Sequence, residues 1–226
     1  MNNRAVILIS GGLDSLVALG YCLSDKKYNV ELGITFDYGQ KSADKEIEAS
    51  KKICDYYKIE HRVIKLDWLK DITKTSLVSD DEIPTQNLHT KESAESVWVP
   101  NRNSLFLNIA GCFCDSFGYE YIIYGANKDE ASTFPDNTEE FREQISKLFQ
   151  SSTLVKPQVV APLINYTKDD IVKIAVDKGI PLELVWSCYS KGDKHCGQCE
   201  SCNYLKKALI TNHKYELIDK LFQNEN

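Results

Sequence analysis

Two familiar phosphate signatures are missing from this 226-residue chain, which has no G-x-x-x-x-G-K-S/T and no G-x-G-x-x-G. Their absence removes the ordinary kinase-like and dinucleotide-binding readings. No stretch is long enough to span a bilayer, so no membrane contact is expected. The apolar run AVILIS at residues 5–10 is too short for the core of a secretory signal, and glycines follow it at once, so no signal peptide is expected. There is no internal repeat. There is also no lysine-arginine stripe, and the net charge is -6. A stand-alone tRNA binder needs the opposite balance, so no direct contact with nucleic acid is expected. What is present is 42% hydrophobic content, enough for one α/β-sized domain with a small appendage.

Eight cysteines are present. Cys22, Cys54, Cys112 and Cys114 sit singly in apolar or helical-looking runs, as buried reduced thiols of a cytoplasmic protein do. The other four, Cys188, Cys196, Cys199 and Cys202, fall within CYSKGDKHCGQCESC at the spacing Cys-x7-Cys-x2-Cys-x2-Cys. In a reducing compartment that spacing indicates a metal site. Four thiolates fill a zinc tetrahedron and leave no position for water or substrate, so the zinc, one per chain, is expected to be structural. Lys191, Lys194, Lys206 and Lys207 lie nearby in sequence to offset the charge. A redox Cys-x-x-Cys pair would leave two thiols unexplained. His195 as a ligand would break the spacing.

The chemistry is expected at the other end. Residues 4–10, RAVILIS, form an apolar run of strand length and lead directly into SGGLDS, Ser10 through Ser15. A helix follows, with Leu13, Leu16, Val17 and Tyr21 along one face and Asp14 as its expected N-cap. Gly11 and Gly12 let the backbone approach a ligand, while free amides and the helix dipole attract an anion. A plain strand-to-helix turn would explain the glycines. It would not require the flanking hydroxyls of Ser10 and Ser15.

Further strands are expected at residues 30–36, 61–66 and 119–126, and helices at 43–57, 103–117 and 168–178. Thr167 caps the last helix and Gly179 lies just beyond it. This alternation predicts an α/β, doubly wound, mostly parallel sheet over residues 1–180, followed by a small zinc-binding helical segment over 181–226. Ligands of such sheets bind outside the carboxyl ends of the strands. Ser10 to Ser15, then Phe36, Asp37 and Tyr38, and then Asn127, Lys128 and Asp129 all fall there. The polar stretch 71–96 is long for a connection. It leads into WVPNRN, where Arg102 and Asn103 open a helix and the guanidinium suits a carboxylate or phosphate.

SGGLDS in its strand-loop-helix context resembles the pyrophosphate loop of the ATP pyrophosphatase superfamily. Together with VPNRN (residues 99–103), ANKDEASTFPDN (126–137) and WSCY (186–189), nearly the whole chain resembles the 7-cyano-7-deazaguanine synthase family, in its archaeal-type variant. The resemblance implies a Rossmann-like fold of the adenine nucleotide alpha hydrolase type and an ATP-dependent ligase of queuosine and archaeosine precursor synthesis. The carboxylate of 7-carboxy-7-deazaguanine is adenylated, ammonia displaces AMP, and a second ATP activates the amide for conversion to the nitrile. It also implies zinc on the four cysteines and a homodimer. Bacterial members carry Gly-Tyr-Pro-Asp-Cys-Arg in the third segment. Here Thr133 and Phe134 precede Pro135 and Asp136, and Asn137 and Thr138 follow, so one cationic contact to an anionic substrate is missing.

On this reading Ser10, Gly11, Gly12, Leu13, Asp14, Ser15, Phe36, Asp37 and Tyr38 bind ATP, with Mg2+ held mainly by its phosphates. Arg102, Lys128 and Asp14 carry the catalysis. Arg102, Asn103, Lys128, Asp129 and Asp136 contact the substrate, Asp136 at its guanine-like edge. Three alternatives stand beside it: a tRNA-modifying ligase, a relative that transfers a deazaguanine to another acceptor, and a non-catalytic zinc-stabilised nucleotide-binding module.

Overall fold

The computed structural model describes residues 3–88 and 90–223. Five strands form one parallel sheet: β1 (Arg4–Leu8), β2 (Asn29–Asp37), β3 (Glu60–Lys65), β4 (Tyr121–Ile123) and β5 (Gln158–Val160), in the order β3-β2-β1-β4-β5. The chain winds outward from β1 to β3, then returns to the other side of β1. That reversal opens a crevice between the carboxyl ends of β1 and β4, where doubly wound sheets take their ligands.

The helices are α1 (Leu13–Ser24), α2 (Ala43–Tyr57), α3 (Asp67–Ile72), α4 (Lys91–Ser96), α5 (Arg102–Phe117), α6 (Lys128–Ala131), α7 (Glu139–Ser152), α8 (Lys168–Lys178), α9 (Glu200–Thr211) and α10 (Tyr215–Leu221). One sheet face is covered by α1, α2, α8 and α9, with Leu16, Ile53, Ile171 and Leu205 at its centre. The other is covered by α5 and α7 through Phe106, Leu107 and Phe149. Side chains such as Leu16 and Leu107 have no exposed surface, and burying each contributes roughly 1.5–3 kcal/mol. No described helix is long and apolar enough to cross a membrane.

Segment 181–223 has no separate core. Leu205, Ala208, Leu209 and Phe222 lie among the same buried side chains as Leu16 and Ile171. The outer ends of the two expected ranges, residues 1–2 and 224–226, lie outside the described residues.

Three local expectations need correction. Asp14 does not cap α1: the N-cap is Gly12 with no side-chain cap, and Asp14 sits within the first turn with its carboxylate drawn to Lys168 Nζ. The strand expected over 119–126 is only β4, because Tyr119 N–H and Glu120 N–H bond to Cys114 and Arg4 carbonyls before the ladder starts. At its other end the backbone leaves the sheet to cross α1 so closely that a Cβ on Gly125 would lie 2.8 Å from Asp14 C and Ser15 N. The stretch 71–96 contains α4, opened by a reciprocal Thr90–Ser93 capping box, and it buries Leu77 and Val78.

Candidate functional site

A cleft of about 370 Å³ opens at the carboxyl ends of the strands, within the range of small-molecule sites. Its floor is the turn after β1. Gly11 has φ +76°, and a Cβ there would meet Ala49 Cβ at 2.8 Å and the Glu46 carbonyl at 2.9 Å. Only glycine lets this turn lie against α2. Gly11 therefore shapes the loop from behind and does not line the cleft, whereas Ser10, Gly12, Leu13, Asp14 and Ser15 do.

Helical bonding in α1 begins with Leu16 N–H donating to Gly12 O at 3.1 Å, so the preceding amides have no helical acceptor and the positive dipole end faces the cleft. Ser15 Oγ donates to Gly12 O at 3.1 Å and also accepts Ser10 N–H at 3.3 Å, bracing the turn. Ser10 Oγ accepts Gly12 N–H at 3.4 Å.

Beside this floor lies an ion triad built on a buried lysine and two part-buried carboxylates. Lys168 Nζ reaches Asp14 Oδ2 at 2.5 Å and Glu130 Oε1 at 2.7 Å, and Lys168 is only 7% exposed. Burial would lower the Lys168 pKa, but the two carboxylates outweigh it and hold the ammonium charged. Burial raises Asp14 to about 6 in spite of Lys168. The other Asp14 oxygen, Oδ1, is buried with no hydrogen-bond partner.

Across the cleft, Arg102 opens α5. Its guanidinium donates to Tyr38 Oη at 3.4 Å, and no ion pair of Arg102 occurs among the described residues, so most of its five donors are unspent. Burial would depress it, yet the Tyr38 and Asp136 side chains keep it firmly charged. Asp136 accepts Asn103 N–H on Oδ2 at 3.4 Å and Asn137 Nδ2–H on Oδ1 at 3.2 Å, and burial pushes its pKa up. The Asn103 amide side chain bonds the Asp136 backbone carbonyl.

Aromatic walls complete the cavity. Phe36 stacks on Phe106 with centroids 3.9 Å apart, and Trp98 on Phe134 at 5.5 Å. The buried Tyr124 hydroxyl has no partner.

Two expected residues lie elsewhere. Lys128 is exposed and outside the cleft lining, because Asn127 caps α6 through its side chain and turns Glu130 inward instead. Asp37 is spent on the Gly39 N–H at 3.1 Å in a local turn. Asp129 lines the cleft, but its carboxylate accepts the backbone N–H of Lys168 at 2.8 Å and so fixes the start of α8.

The residues that sequence reasoning missed are Lys168, Glu130, Trp98, Tyr124, Ser187 and Glu46, the last a cleft carboxylate bonded by Ser42 and Gln40 and raised by burial. One signal was available: Lys168 occupies the first position of α8, where the helix dipole disfavours a cation. The effect is small, and Lys128 at the first position of α6 stays exposed in spite of it, so the position alone does not single out Lys168.

The four cysteines cluster at the base of the C-terminal segment. The Sγ atoms of Cys188, Cys196, Cys199 and Cys202 all lie within 4.8 Å of one another. Amide N–H groups of Ser190 and Cys196 donate to Cys188 Sγ, and those of Gln198 and Cys199 to Cys196 Sγ, all at 3.4 Å. Hydrogen bonds from Cys188, Cys199 and Cys202 push the Cys196 thiol down. The Cys196–Cys202 sulfur separation is 3.8 Å, and a tetrahedron of metal–sulfur bonds near 2.3 Å has edges of about 3.8 Å. This donor set fits a single metal ion. A cluster with four iron atoms between the sulfurs would hold them farther apart. His195 is not a ligand: its ring accepts Ser187 N–H on Nε2 at 2.9 Å and bonds Leu221 O through Nδ1 at 3.0 Å.

The same segment grips the turn after β1. Trp186 N–H donates to Gly11 O at 2.8 Å, and Leu13 N–H donates to Ser187 Oγ at 3.3 Å.

Residues 4–213 match the family described as queuosine biosynthesis protein QueC. Among curated relatives, the 7-cyano-7-deazaguanine synthase of Carboxydothermus hydrogenoformans is 51% identical over 211 residues, covering 91% of this chain and 97% of that protein. The proteins of the same name from Methanosarcina barkeri and Bdellovibrio bacteriovorus are 46% and 43% identical, covering 88% and 93% of this chain and 90% and 94% of theirs. Among solved structures, the U34-tRNA thiolase NcsA from Methanococcus maripaludis with its 4Fe-4S cluster has a TM-score of 0.50 at 19% identity, covering 96% of this chain and 70% of that chain. At that identity the likeness is one of fold. With the family match spanning nearly the whole sequence and the relatives aligned almost end to end, the chain belongs to the QueC family.

Proposed function

We propose that the chain is an ATP-dependent ligase that converts 7-carboxy-7-deazaguanine and ammonia to 7-cyano-7-deazaguanine. The observation that carries this reading is one cleft holding both an amide-lined anion floor at the turn after β1 and, facing it, the unspent donors of Arg102. Joining a carboxylate to the α-phosphate of ATP brings two anions together, and the site must supply cations and oriented dipoles where they meet.

Each side of the cleft supplies one part. The Gly12, Leu13 and Ser15 region receives the pyrophosphate leaving group. Arg102 holds the substrate carboxylate, and Asp136 with Asn137 and Tyr124 faces the deazaguanine edge. Lys168 takes the place expected for Lys128 and steadies the transferring phosphate from the Asp14–Glu130 triad. Mg2+ travels with the ATP phosphates and offsets their charge. Ammonia displaces AMP from the acyl adenylate to give the amide. The amide oxygen then leaves on a second AMP as the nitrile forms.

The cysteine cluster holds one zinc in a closed shell, with a structural role. The sulfur spacing and the four amide donors support this. Cytoplasmic placement fits three inert thiols, since burial pushes Cys22, Cys54 and Cys114 up to about 12; Cys112, expected to be buried with them, is exposed on α5. A homodimer is what the resemblance to the family implies.

The test is product analysis of the purified protein with ATP, ammonium and the carboxylate, against variants. Arg102→Ala should lower turnover by about a hundredfold or more, the typical cost of one preorganised donor at such a site. Lys128→Ala should turn over like the parent protein, whereas Lys168→Ala should not. Lys168→Ala also leaves the part-buried carboxylates of Asp14 and Glu130, 17% and 32% exposed, without their shared cation, and should lower stability by roughly 1–3 kcal/mol, read as a lower unfolding midpoint. Equal activity in Arg102→Ala would remove the carboxylate role from this side of the cleft.

A further inference from the structure

The pyrophosphate floor has two hydroxyl walls, and only one of them belongs to the SGGLDS turn. A Cβ placed on Gly12 would lie 3.4 Å from Ser10 Oγ and 3.9 Å from both Ser187 Oγ and the Trp186 carbonyl oxygen, so two hydroxyls and one carbonyl border the space above Gly12. Ser187 enters from 174 residues away in sequence. Its oxygen accepts Leu13 N–H, and among the described residues no acceptor takes its O–H.

That arrangement relays charge. Leu13 N–H is one of the orphan donors at the start of α1, and handing it to Ser187 Oγ polarises the hydroxyl and frees its proton to point into the cleft. Ser15 does not do this, because its proton is spent on Gly12 O. Ser187 is also held still. Its own N–H donates to His195 Nε2 at 2.9 Å, and the preceding Trp186 N–H is fixed on Gly11 O at 2.8 Å. His195 in turn is stacked between Trp186 and Phe222, with centroids 4.8 Å and 5.1 Å away. A donor immobilised in this way loses little entropy when it meets an anion.

We infer that Ser187 is a pyrophosphate-binding residue of this cleft, donating its hydroxyl to the anion seated above Gly12. The inference rests on the reading of the turn as a pyrophosphate site. It extends that site beyond its motif to the C-terminal segment, and it ties the seating of the leaving group to the fold around the cysteines.

The probe is inorganic pyrophosphate with Mg2+, titrated calorimetrically into the full-length protein after its metal content and melting midpoint have been recorded. Ser187→Ala should bind about tenfold more weakly than the parent, the loss expected for one hydrogen bond to a charged group. Ser187→Thr and Ser187→Val are nearly isosteric. The Thr variant should retain most of the affinity and the Val variant should lose it, a comparison that still decides the matter if the Ala variant folds poorly. Gly12→Val serves as the control for the site itself. Binding lost in Gly12→Val but unchanged in Ser187→Ala, or equal in the Thr and Val variants, overturns the role of Ser187 and leaves the turn as a pyrophosphate site. Binding unchanged in Gly12→Val as well, or absent from the parent, overturns both.

Discussion

Gly12→Val should abolish substrate-dependent AMP formation while leaving the melting midpoint within a few degrees of the parent protein. The two halves of this expectation have separate physical grounds. Gly12 has φ -76° and ψ 169°, an extended conformation that valine adopts without strain, and the nearest atoms to a Cβ are at 3.4 and 3.9 Å, so the fold tolerates the side chain. Its methyl groups would, however, occupy the space between Ser10 and Ser187 where phosphate oxygens must reach the first amides of α1. Gly11→Val should behave in the opposite way. It would force valine into the left-handed region at φ +76° with contacts of 2.8 and 2.9 Å. The backbone penalty alone is about 1–2 kcal/mol, and the clash with α2 adds to it. That variant should lose stability first. A fully active Gly12→Val enzyme would mean that the anion floor is not where ATP reacts.

Cys199→Ala and Cys202→Ala should yield little folded, metal-containing protein. Both residues are completely buried, and each would be one of four ligands to a metal whose binding is coupled to folding, worth roughly 10–16 kcal/mol in small zinc domains. Whole domains are stable by only about 5–15 kcal/mol. Losing one ligand should release the 188–202 turn, and with it the grip of Trp186 and Ser187 on Gly11 and Leu13, so activity should fail through disorder of the turn after β1. Cys114→Ala gives the contrast. Cys114 is equally buried, but it lies in α5 away from the cluster, so it should cost only the loss of a small buried group and keep full metal content. Metal analysis with thermal unfolding separates the cases. Metal-free protein of parental stability would show that the four sulfurs serve another purpose.

Local rules were enough wherever a structure is decided by neighbours in sequence. The helix over 168–178 matches its expected bounds, because Thr167 and Asp170 close a capping box and Gly179 takes the left-handed turn at φ 66°, all within a few residues. The strand-turn-helix at Ser10 to Ser15 and the cysteine spacing were legible for the same reason. Local rules fail where distant residues decide. Asp14 has the chemistry of an N-cap, but a lysine 154 positions later claims its carboxylate. Lys128 was a reasonable cation at a strand's end, yet the turn of α6 points it to solvent and presents Glu130. The resulting triad joins three elements and has no sequence pattern. Ser187 was hidden similarly, since nothing in WSCY shows that its hydroxyl closes the space above Gly12.

The most direct test follows the oxygen atoms of the substrate. 7-Carboxy-7-deazaguanine labelled with 18O in both carboxylate positions is incubated with the enzyme, ATP, Mg2+ and ammonium, and AMP, pyrophosphate and the deazapurine are resolved by mass spectrometry. If the carboxylate and then the amide are adenylated in this cleft, each nitrile formed is accompanied by two AMP molecules, each carrying one 18O, and by unlabelled pyrophosphate. Unlabelled AMP, label in orthophosphate, or ATP consumed without nitrile would contradict the account.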